Sequence, residues 1–331
     1  MRDFRPFYKR LQVKSCFICG CKAREEDSMF FWKKKKEKKL PKQEVFQQEL
    51  EEQAPPAGTV FMMHLLMKEK CEVPAQEKVI EVMRKHLGDV ECFSYDGKMA
   101  GFAVKKHMVE FPDGKMPPQL WIMGCMEHKE DMIDAFTRSQ MWDCKDSERI
   151  LSECKYQVLA HDMLAAGLDY KDRANMLMDY MEALVELYPQ CEAVFFQTSG
   201  KMFTAEAIRN HQIPRDHRFI YFAVNARFFN IQGTNDMMVD SLGMCTLFLP
   251  DVQYHFHGME PDWVVNHAYN VLSYIYDNNC PIKSGETIDG IVDGRMSREL
   301  QWKCQYEMAL IQPTREVLDI CMGEYASGTR G

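Results

Sequence analysis

The sequence predicts an α+β protein in which helices pack on one extended mixed β-sheet. Short apolar runs typical of strands alternate along the chain with amphipathic stretches typical of helices. Gly, Pro, Asn and Asp separate these segments, as expected at turns. The chain has 331 residues, 46% of them hydrophobic, which is enough for a large core. We therefore predict one domain over 59–323, after a leader at 1–58 and before a flexible tail at 324–331.

The first part of this domain, 59–145, has the element order β-α-β-β-β. Apolar spacing and turn residues predict a buried strand at 59–67, a helix at 74–88, a hairpin across Asp96-Gly97, a strand at 118–126 and a helix at 128–144. Gly88 is a typical helix stop, and Asp-Gly is a strong hairpin signal.

A second part, 152–323, repeats the strand and helix order without repeating residue identity, so we predict two related halves that share the sheet. Its predicted elements are a strand at 155–164, a helix at 169–189, a strand and turn at 191–200, long strands at 218–232 and 237–251, a helix at 260–278 and a strand that runs into a final segment near Pro313.

Charge is distributed unevenly along the chain. Residues 1–40 hold 13 Lys or Arg and 5 Asp or Glu, which leaves 28 of the 41 basic and 44 of the 49 acidic residues for the rest. Phosphate contacts dominate nucleic-acid affinity, so this acidic body argues against nucleic acid as a partner.

The thirteen cysteines are scattered singly, which favours reduced thiols over a disulfide framework. No run approaches the roughly 18 apolar residues that a membrane-spanning helix requires. The N-terminus lacks the order of regions found in a secretory signal. We expect a cytoplasmic protein, and no motif predicts a cofactor.

The basic leader contains an aromatic and lysine-rich stretch with two interpretations. One is weak docking on anionic lipid, and the other is a solvated tail, the usual fate of a block of like charges. The stretch comprises Phe30, Phe31, Trp32, Lys33, Lys34, Lys35 and Lys36. Met29, directly before it, is a second candidate start of the chain beside Met1.

Three leader cysteines contain half of the ligand pattern of a zinc ribbon. Cys16, Cys19 and Cys21 include a C-x-x-C, but a structural zinc site needs about four ligands, and the next Cys or His is His64. The spacing therefore argues against zinc here.

The C-terminal third resembles a bacterial family catalogued as domain of unknown function 4261. The resemblance rests on Asp240, Leu242 and Gly243, on the Leu-Pro-Asp-x-Gln-x-His-Phe run from Leu249 to Phe256, and on Gly285, Thr287 and Gly290. It extends over 59–323 and is most specific after about residue 219, although Ser241 stands where the family pattern has Thr. It implies a bacterial origin but supplies no activity and no catalytic residue.

The stretch "DVQYHFHGME" contains the most prominent candidate metal ligands. In an extended strand, His255 and His257 share one face, roughly 7 Å apart along the chain. Asp251 lies on the same face by parity, and His267 on the next helix is a further candidate. The alternative is that these side chains are hydrogen-bonded parts of the structure.

Three arginines around an aromatic run, Arg215, Arg218 and Arg227, are candidates for binding an anion such as a carboxylate. The alternative is a solvated strand edge. Motifs for phosphate loops, dinucleotide binding, serine hydrolases and zinc proteases are all missing from the sequence. The sequence thus favours a binding protein whose partner is another protein, and leaves open a metal-assisted hydrolase or a weakly membrane-associated protein.

Overall fold

A computed structural model of the chain describes residues 12–14, 45–48, 57–58 and 60–328. The predicted α+β class is confirmed. The strands, however, form two large sheets and a small ribbon where one continuous sheet was expected. The helices are α1 (Gln76–Leu87), α2 (Ala135–Arg138), α3 (Ser147–Glu153), α4 (Tyr170–Leu187), α5 (Ala205–Arg209), α6 (Arg218–Ala223) and α7 (Pro261–Asn278).

The first sheet has seven strands in the order β11-β10-β3-β9-β8-β5-β4, all of whose pairs are antiparallel. Its strands are β3 (Met62–Met67), β4 (Val90–Tyr95), β5 (Ala100–Val104), β8 (Gln119–Glu127), β9 (Tyr156–Met163), β10 (Ala193–Phe196) and β11 (Lys201–Thr204). The ribbon consists of β6 (Val109–Phe111) and β7 (Gly114–Met116), which the sequence did not predict.

The second sheet has eight strands in the order β15-β16-β17-β14-β13-β12-β1-β2. It is mixed, because β14 and β17 run parallel. Its strands are β1 (Gln12–Lys14), β2 (Val45–Gln47), β12 (Asn225–Ile231), β13 (Met237–Leu242), β14 (Asp251–Phe256), β15 (Thr287–Val292), β16 (Arg295–Met308) and β17 (Glu316–Cys321). Two short strands of the leader therefore pair at one edge of this sheet.

The three long helices match their sequence signals. Asp169 caps α4 by accepting from the backbone N–H of Lys171, Pro261 begins α7, and Gly88 follows α1 with a positive φ. Each of these helices presents an apolar stripe to the core, and one hydrophobic cluster contains residues from both large sheets.

Helix α4 connects the two large sheets through a buried ion pair. Arg173 lies 2.8 Å from Asp162 of β9, and its guanidinium also donates to the backbone oxygen of Thr246, which follows β13. Both side chains are almost fully buried. Breaking such a pair leaves an uncompensated charge, so it specifies how α4 packs.

Three predicted elements are wrong. The strand predicted at 237–251 is divided, because β13 ends at Leu242 and a 3-10 turn follows over Met244–Leu247. Residues 128–144 hold only a 3-10 turn and the four-residue α2, because the buried Gln140 leaves helical geometry and accepts from the backbone N–H of Phe228 in β12. The predicted strand at 218–232 begins with helix α6 and becomes β12 only at Asn225. An apolar run of this length does not distinguish a buried helix from a strand by periodicity.

Candidate functional site

Asp251 belongs to a buried charge network on the second sheet. Arg227 and Asp240 form two parallel hydrogen bonds, and Arg315 donates to the same carboxylate at 2.8 Å. Arg315 also lies 3.4 Å from Asp251, whose other oxygen accepts from the Ser241 hydroxyl at 2.8 Å. Burial raises the pKa of Asp251, while Arg315 and Ser241 oppose that shift. Every one of these side chains is occupied in holding the sheet together.

His267 is a core histidine on the opposite side of β14. Its Nε2 lies 2.7 Å from the backbone oxygen of Asp289, which can only accept, so Nε2 carries the proton. Its Nδ1 therefore accepts from the Tyr254 hydroxyl at 2.9 Å. Burial lowers the pKa of His267, which favours the neutral ring.

His255 and His257 do come together, through two residues that the sequence did not single out. The Ser327 hydroxyl donates to Asp236 at 2.9 Å and lies 3.0 Å from Nδ1 of His257, while His255 lies 3.5 Å from the same carboxylate. Because the serine hydrogen is directed at Asp236, Nδ1 of His257 is the donor toward Ser327. The serine hydroxyl thus donates to a carboxylate and not to a histidine ring, so the group lacks the hydrogen-bond order of a Ser-His-Asp triad.

The four predicted ligands thus do not converge on one point. Asp251 is buried against Arg315, His267 lies on the other side of the sheet, and only the two neighbouring histidines meet. In the part of the chain that the structure describes, no group of three or more His, Cys, Asp or Glu is arranged to hold a metal ion. The leader cysteines and the stretch from Phe30 to Lys36 lie outside the described residues.

The three candidate anion-binding arginines are separated and paired. Arg218 is buried on α6, where it donates to Asp179 and Glu182 of α4. Arg227 is buried against Asp240. Arg215 is exposed and lies 3.5 Å from Asp179. None of them lies at a solvated strand edge, and their acidic partners occupy the positions that an incoming anion would take.

A different surface stands out, on the first sheet. The strand register aligns Met62 of β3, His161 of β9, Trp121 of β8 and Gly101 of β5 in one row. Residues in register project to the same side of a sheet. Phe93 lies over the gap at Gly101 and meets Trp121 edge-to-face, with ring centroids 5.1 Å apart.

The neighbouring rows extend this surface. Alternation along β9 places Leu159 and Met163 on the same side as His161. Phe93 is 43% exposed and Met163 is 41% exposed, and Met62, Trp121, Leu159 and His161 are half-buried. We call this surface the open face: Met62, Phe93, Gly101, Trp121, Leu159, His161 and Met163.

Within the described ranges, the same side of the sheet is covered at its other end alone. Leu66 of β3 and Phe195 of β10 are buried there beneath apolar residues of the 133–154 segment, including Ile133 and Ile150. The open face itself contains no Lys, Arg, Asp or Glu. At its edge strand, Glu91 and Lys105 pair with each other. The chain therefore leaves a partly apolar, uncharged area of a sheet uncovered in the described structure.

The sequence carries a weak signal for this face. In β9 the residues Leu159, His161 and Met163 alternate with buried positions, and that period-2 pattern is typical of a strand with one side outside the core. The sequence interpretation treated β3 as buried on both sides, whereas Met62 and His64 are half-buried.

Comparison with known families agrees with the sequence resemblance. A family model described as Domain of unknown function (DUF4261) matches residues 240–321, which run from β13 through β17. The resemblance is confirmed for this region, which includes Asp251, His255, His257, His267 and Arg315. No curated protein and no solved structure matches the chain. Among the described residues, no helix is both long enough and apolar enough to cross a membrane.

Proposed function

We propose that this protein is a cytoplasmic binding protein, with no chemistry of its own, that holds a partner protein on the open face. The observation that carries the proposal is the uncovered, uncharged row of Met62, His161 and Trp121 with Phe93 beside it. All ten cysteines of the described residues are free thiols, which supports a reducing compartment.

The composition of the open face suits protein binding. Aromatic residues dominate the energetics of protein interfaces, and Trp is enriched among the residues whose truncation costs most. Methionine adapts to irregular partners because its side chain is unbranched and polarisable. Fully burying one exposed Phe or Met side chain contributes about 1.5–3 kcal/mol, so a few anchors such as Phe93 and Met163 support a specific complex.

The partner we propose presents the apolar side of a helix. The chain itself covers the adjoining end of the same side with α3 and the segment before it, which place Ile133 and Ile150 over Leu66 and Phe195. A helix from another protein would continue that layer over the open face. The lack of charge there also disfavours a nucleic-acid partner, whose binding requires basic side chains.

A photocrosslinking experiment tests the proposal. We expect p-benzoylphenylalanine at position 163, where Met163 of the open face is 41% exposed, to form an adduct with a defined protein in living cells that produce the full chain. The matched control places the same residue at position 274, since Tyr274 on α7 is 48% exposed but lies outside the open face. Mass spectrometry identifies the adduct, and an adduct with a second copy of this chain would identify that copy as the partner.

Substitutions on each surface make the experiment decisive. Trp121→Lys removes the central aromatic side chain and adds charge, so we expect the adduct at position 163 to disappear, while Tyr274→Lys leaves it unchanged. Far-UV circular dichroism confirms that both variants fold. The proposal is overturned if no adduct forms at position 163, if positions 163 and 274 give the same adducts, or if Trp121→Lys has no effect.

A further inference from the structure

A pocket of about 150 Å³ lies between the N-terminal half of α7, strand β12 and the segment that follows α2. Its walls include the aromatic side chains of Trp142, Phe228 and Tyr269 and the carboxylates of Asp143 and Asp262. The pocket is distinct from the open face and from the histidines of β14. Most of its exposed lining is apolar, and acidic groups are its charged part.

The aromatic walls are held in fixed orientations. The rings of Trp142 and Phe228 lie 6.3 Å apart and are tilted by 57° to each other, so they form two sides of a corner. Tyr269 stacks on Tyr221 at 5.4 Å. The indole N–H of Trp142 donates to the buried side chain of Gln140 at 3.1 Å, which fixes the plane of that ring.

A buried ammonium already lies behind one wall. The amine of Lys201 donates to the backbone oxygen of Val224 at 2.9 Å and to the Tyr269 hydroxyl at 2.8 Å, and it lies 3.2 Å from Asp143. Burial opposes the charged form, but Tyr269 and Asp143 together raise the pKa of Lys201. This part of the protein therefore stabilises an organic cation against an aromatic ring and a carboxylate.

The charge balance of the pocket favours a second cation. Lys201 compensates Asp143, whereas Asp262 is exposed and has no ion pair within the described part of the chain. Two carboxylates against one ammonium leave one negative charge at the pocket. This negative charge would repel an anionic ligand. A metal ion is also disfavoured, because it requires several oxygen ligands and most of the lining is aromatic or aliphatic.

We propose that this pocket binds a compact organic monocation, with its alkyl groups against Trp142 and Phe228 and its charge facing Asp262. Aromatic faces attract ammonium groups, and alkylated ammonium ions lose less hydration than small inorganic ions when they enter such a site. The proposal does not rest on the protein-binding function, because it uses a different surface. A free alkylammonium compound and a methylated lysine side chain share this chemistry.

The test uses tetramethylammonium chloride and its neutral counterpart of similar shape, tert-butanol, on the full chain at low ionic strength. With the tryptophans carrying a fluorine label, we expect the ¹⁹F signal of Trp142 to shift in a saturable way with tetramethylammonium. Neither tert-butanol nor sodium chloride should reproduce the shift. A methylated-lysine peptide and free choline then distinguish the two sources of the cation.

Two variants and one control define the site. Asp262→Asn keeps the shape of the side chain and removes its charge, so we expect tetramethylammonium affinity to fall roughly fivefold, the factor for one partly exposed charge contact. Trp142→Leu should abolish saturable binding, which isothermal titration calorimetry measures without the Trp142 label. Trp263→Leu is the matched control. Trp263 follows Asp262 in the first turn of α7 and is 39% exposed, but its ring lies against Gly294 and does not line the pocket.

Three results would overturn the proposal: no saturable shift at Trp142, an equal response to tert-butanol, or unchanged affinity in Asp262→Asn. The second result would assign the pocket to neutral apolar ligands. Asp262→Asn changes an exposed side chain, so it keeps the proposal testable if Trp142→Leu does not fold.

Discussion

The two large sheets use polar and apolar side chains in opposite ways. On the second sheet, the register aligns Arg227, Asp240, Gln253 and Asp319 across β12, β13, β14 and β17, and this row is buried. On the first sheet, the aligned row of Met62, His161, Trp121 and Gly101 is uncharged and partly open. The charged row is thus internal, and the apolar row is at the surface.

The difference shows where each sheet has partners. Residues 309–315 lie over the charged row: the backbone N–H of Leu310 donates to Gln253 at 2.7 Å, and Arg227 donates to the backbone oxygen of Gln312 at 2.9 Å. The chain therefore completes the polar row by itself. The residues that the structure describes supply no such layer for the open face, and this difference is the reason for proposing a partner there.

The largest expected effect comes from breaking the charged row. Asp240→Asn keeps the volume of the side chain but removes a buried negative charge that both Arg227 and Arg315 contact at hydrogen-bond distance. Leaving two buried guanidinium groups without this partner should lower the free energy of unfolding by about 3–5 kcal/mol. Urea denaturation followed by circular dichroism measures the change.

Asp113→Asn serves as the control, since Asp113 is exposed in the turn between β6 and β7. We expect its effect to stay within about 0.5 kcal/mol, as for most surface substitutions. Equal destabilisation by the two variants would mean that the charged row does not hold the second sheet together.

Local signals in the sequence predicted the long helices well. Helices α1, α4 and α7 combine an apolar stripe with terminal residues such as Asp169 and Pro261 that mark where a helix begins, and their bounds lie close to those predicted. The division into two sheets was not predictable in this way. Strand β10 pairs with β3, more than 120 residues earlier in the chain, and no local pattern encodes that pairing.

The candidate sites illustrate the same limit. His255 and His257 were recognisable as a pair, but their actual partners, Asp236 and Ser327, come from distant positions with ordinary sequence surroundings. Asp251 was recognisable as an acid on the same strand, yet burial against Arg315 removes it from any open site. Chemically distinctive residues are easy to recognise in the sequence. In this fold several of them form buried ion pairs and hydrogen bonds that stabilise the structure.

A smaller effect should appear in the pH dependence of stability. Burial lowers the pKa of His267 in the folded protein, so the unfolded chain binds an additional proton as the pH falls through about 6.5. The contribution of the neutral His267 ring to the free energy of unfolding is therefore present above that pH and is lost as the pH falls below it. The loss is at most about 1.4 kcal/mol per pH unit for one proton. His107 and His128 are shifted in the same direction by burial and add to the trend.

His267→Gln removes one titrating group and keeps polar atoms near Tyr254 and Asp289. We expect the loss of stability between pH 7.5 and pH 5.5, measured by urea denaturation, to be smaller in this variant than in the unmodified protein. Gln212→Ala is the control, because Gln212 is exposed and carries no titrating group, so this variant should leave the pH dependence unchanged. A steeper or identical pH dependence in His267→Gln would contradict the assignment of His267 as a neutral core residue.

The smallest effect is expected on the open face itself, from Gly101→Ala. An added Cβ would lie 2.8 Å from the ring of Phe93 and 3.1 Å from that of Trp121, so these aromatic side chains must move apart. Because Phe93 is 43% exposed, the rings can shift toward solvent, and the free energy of unfolding should change by less than about 1 kcal/mol. Because the edge-to-face contact between Phe93 and Trp121 is disturbed, the near-UV circular dichroism of Trp121 should nevertheless change. If Gly101→Ala destabilises the protein as much as Asp240→Asn, the open face is part of the core, and its contrast with the charged row disappears.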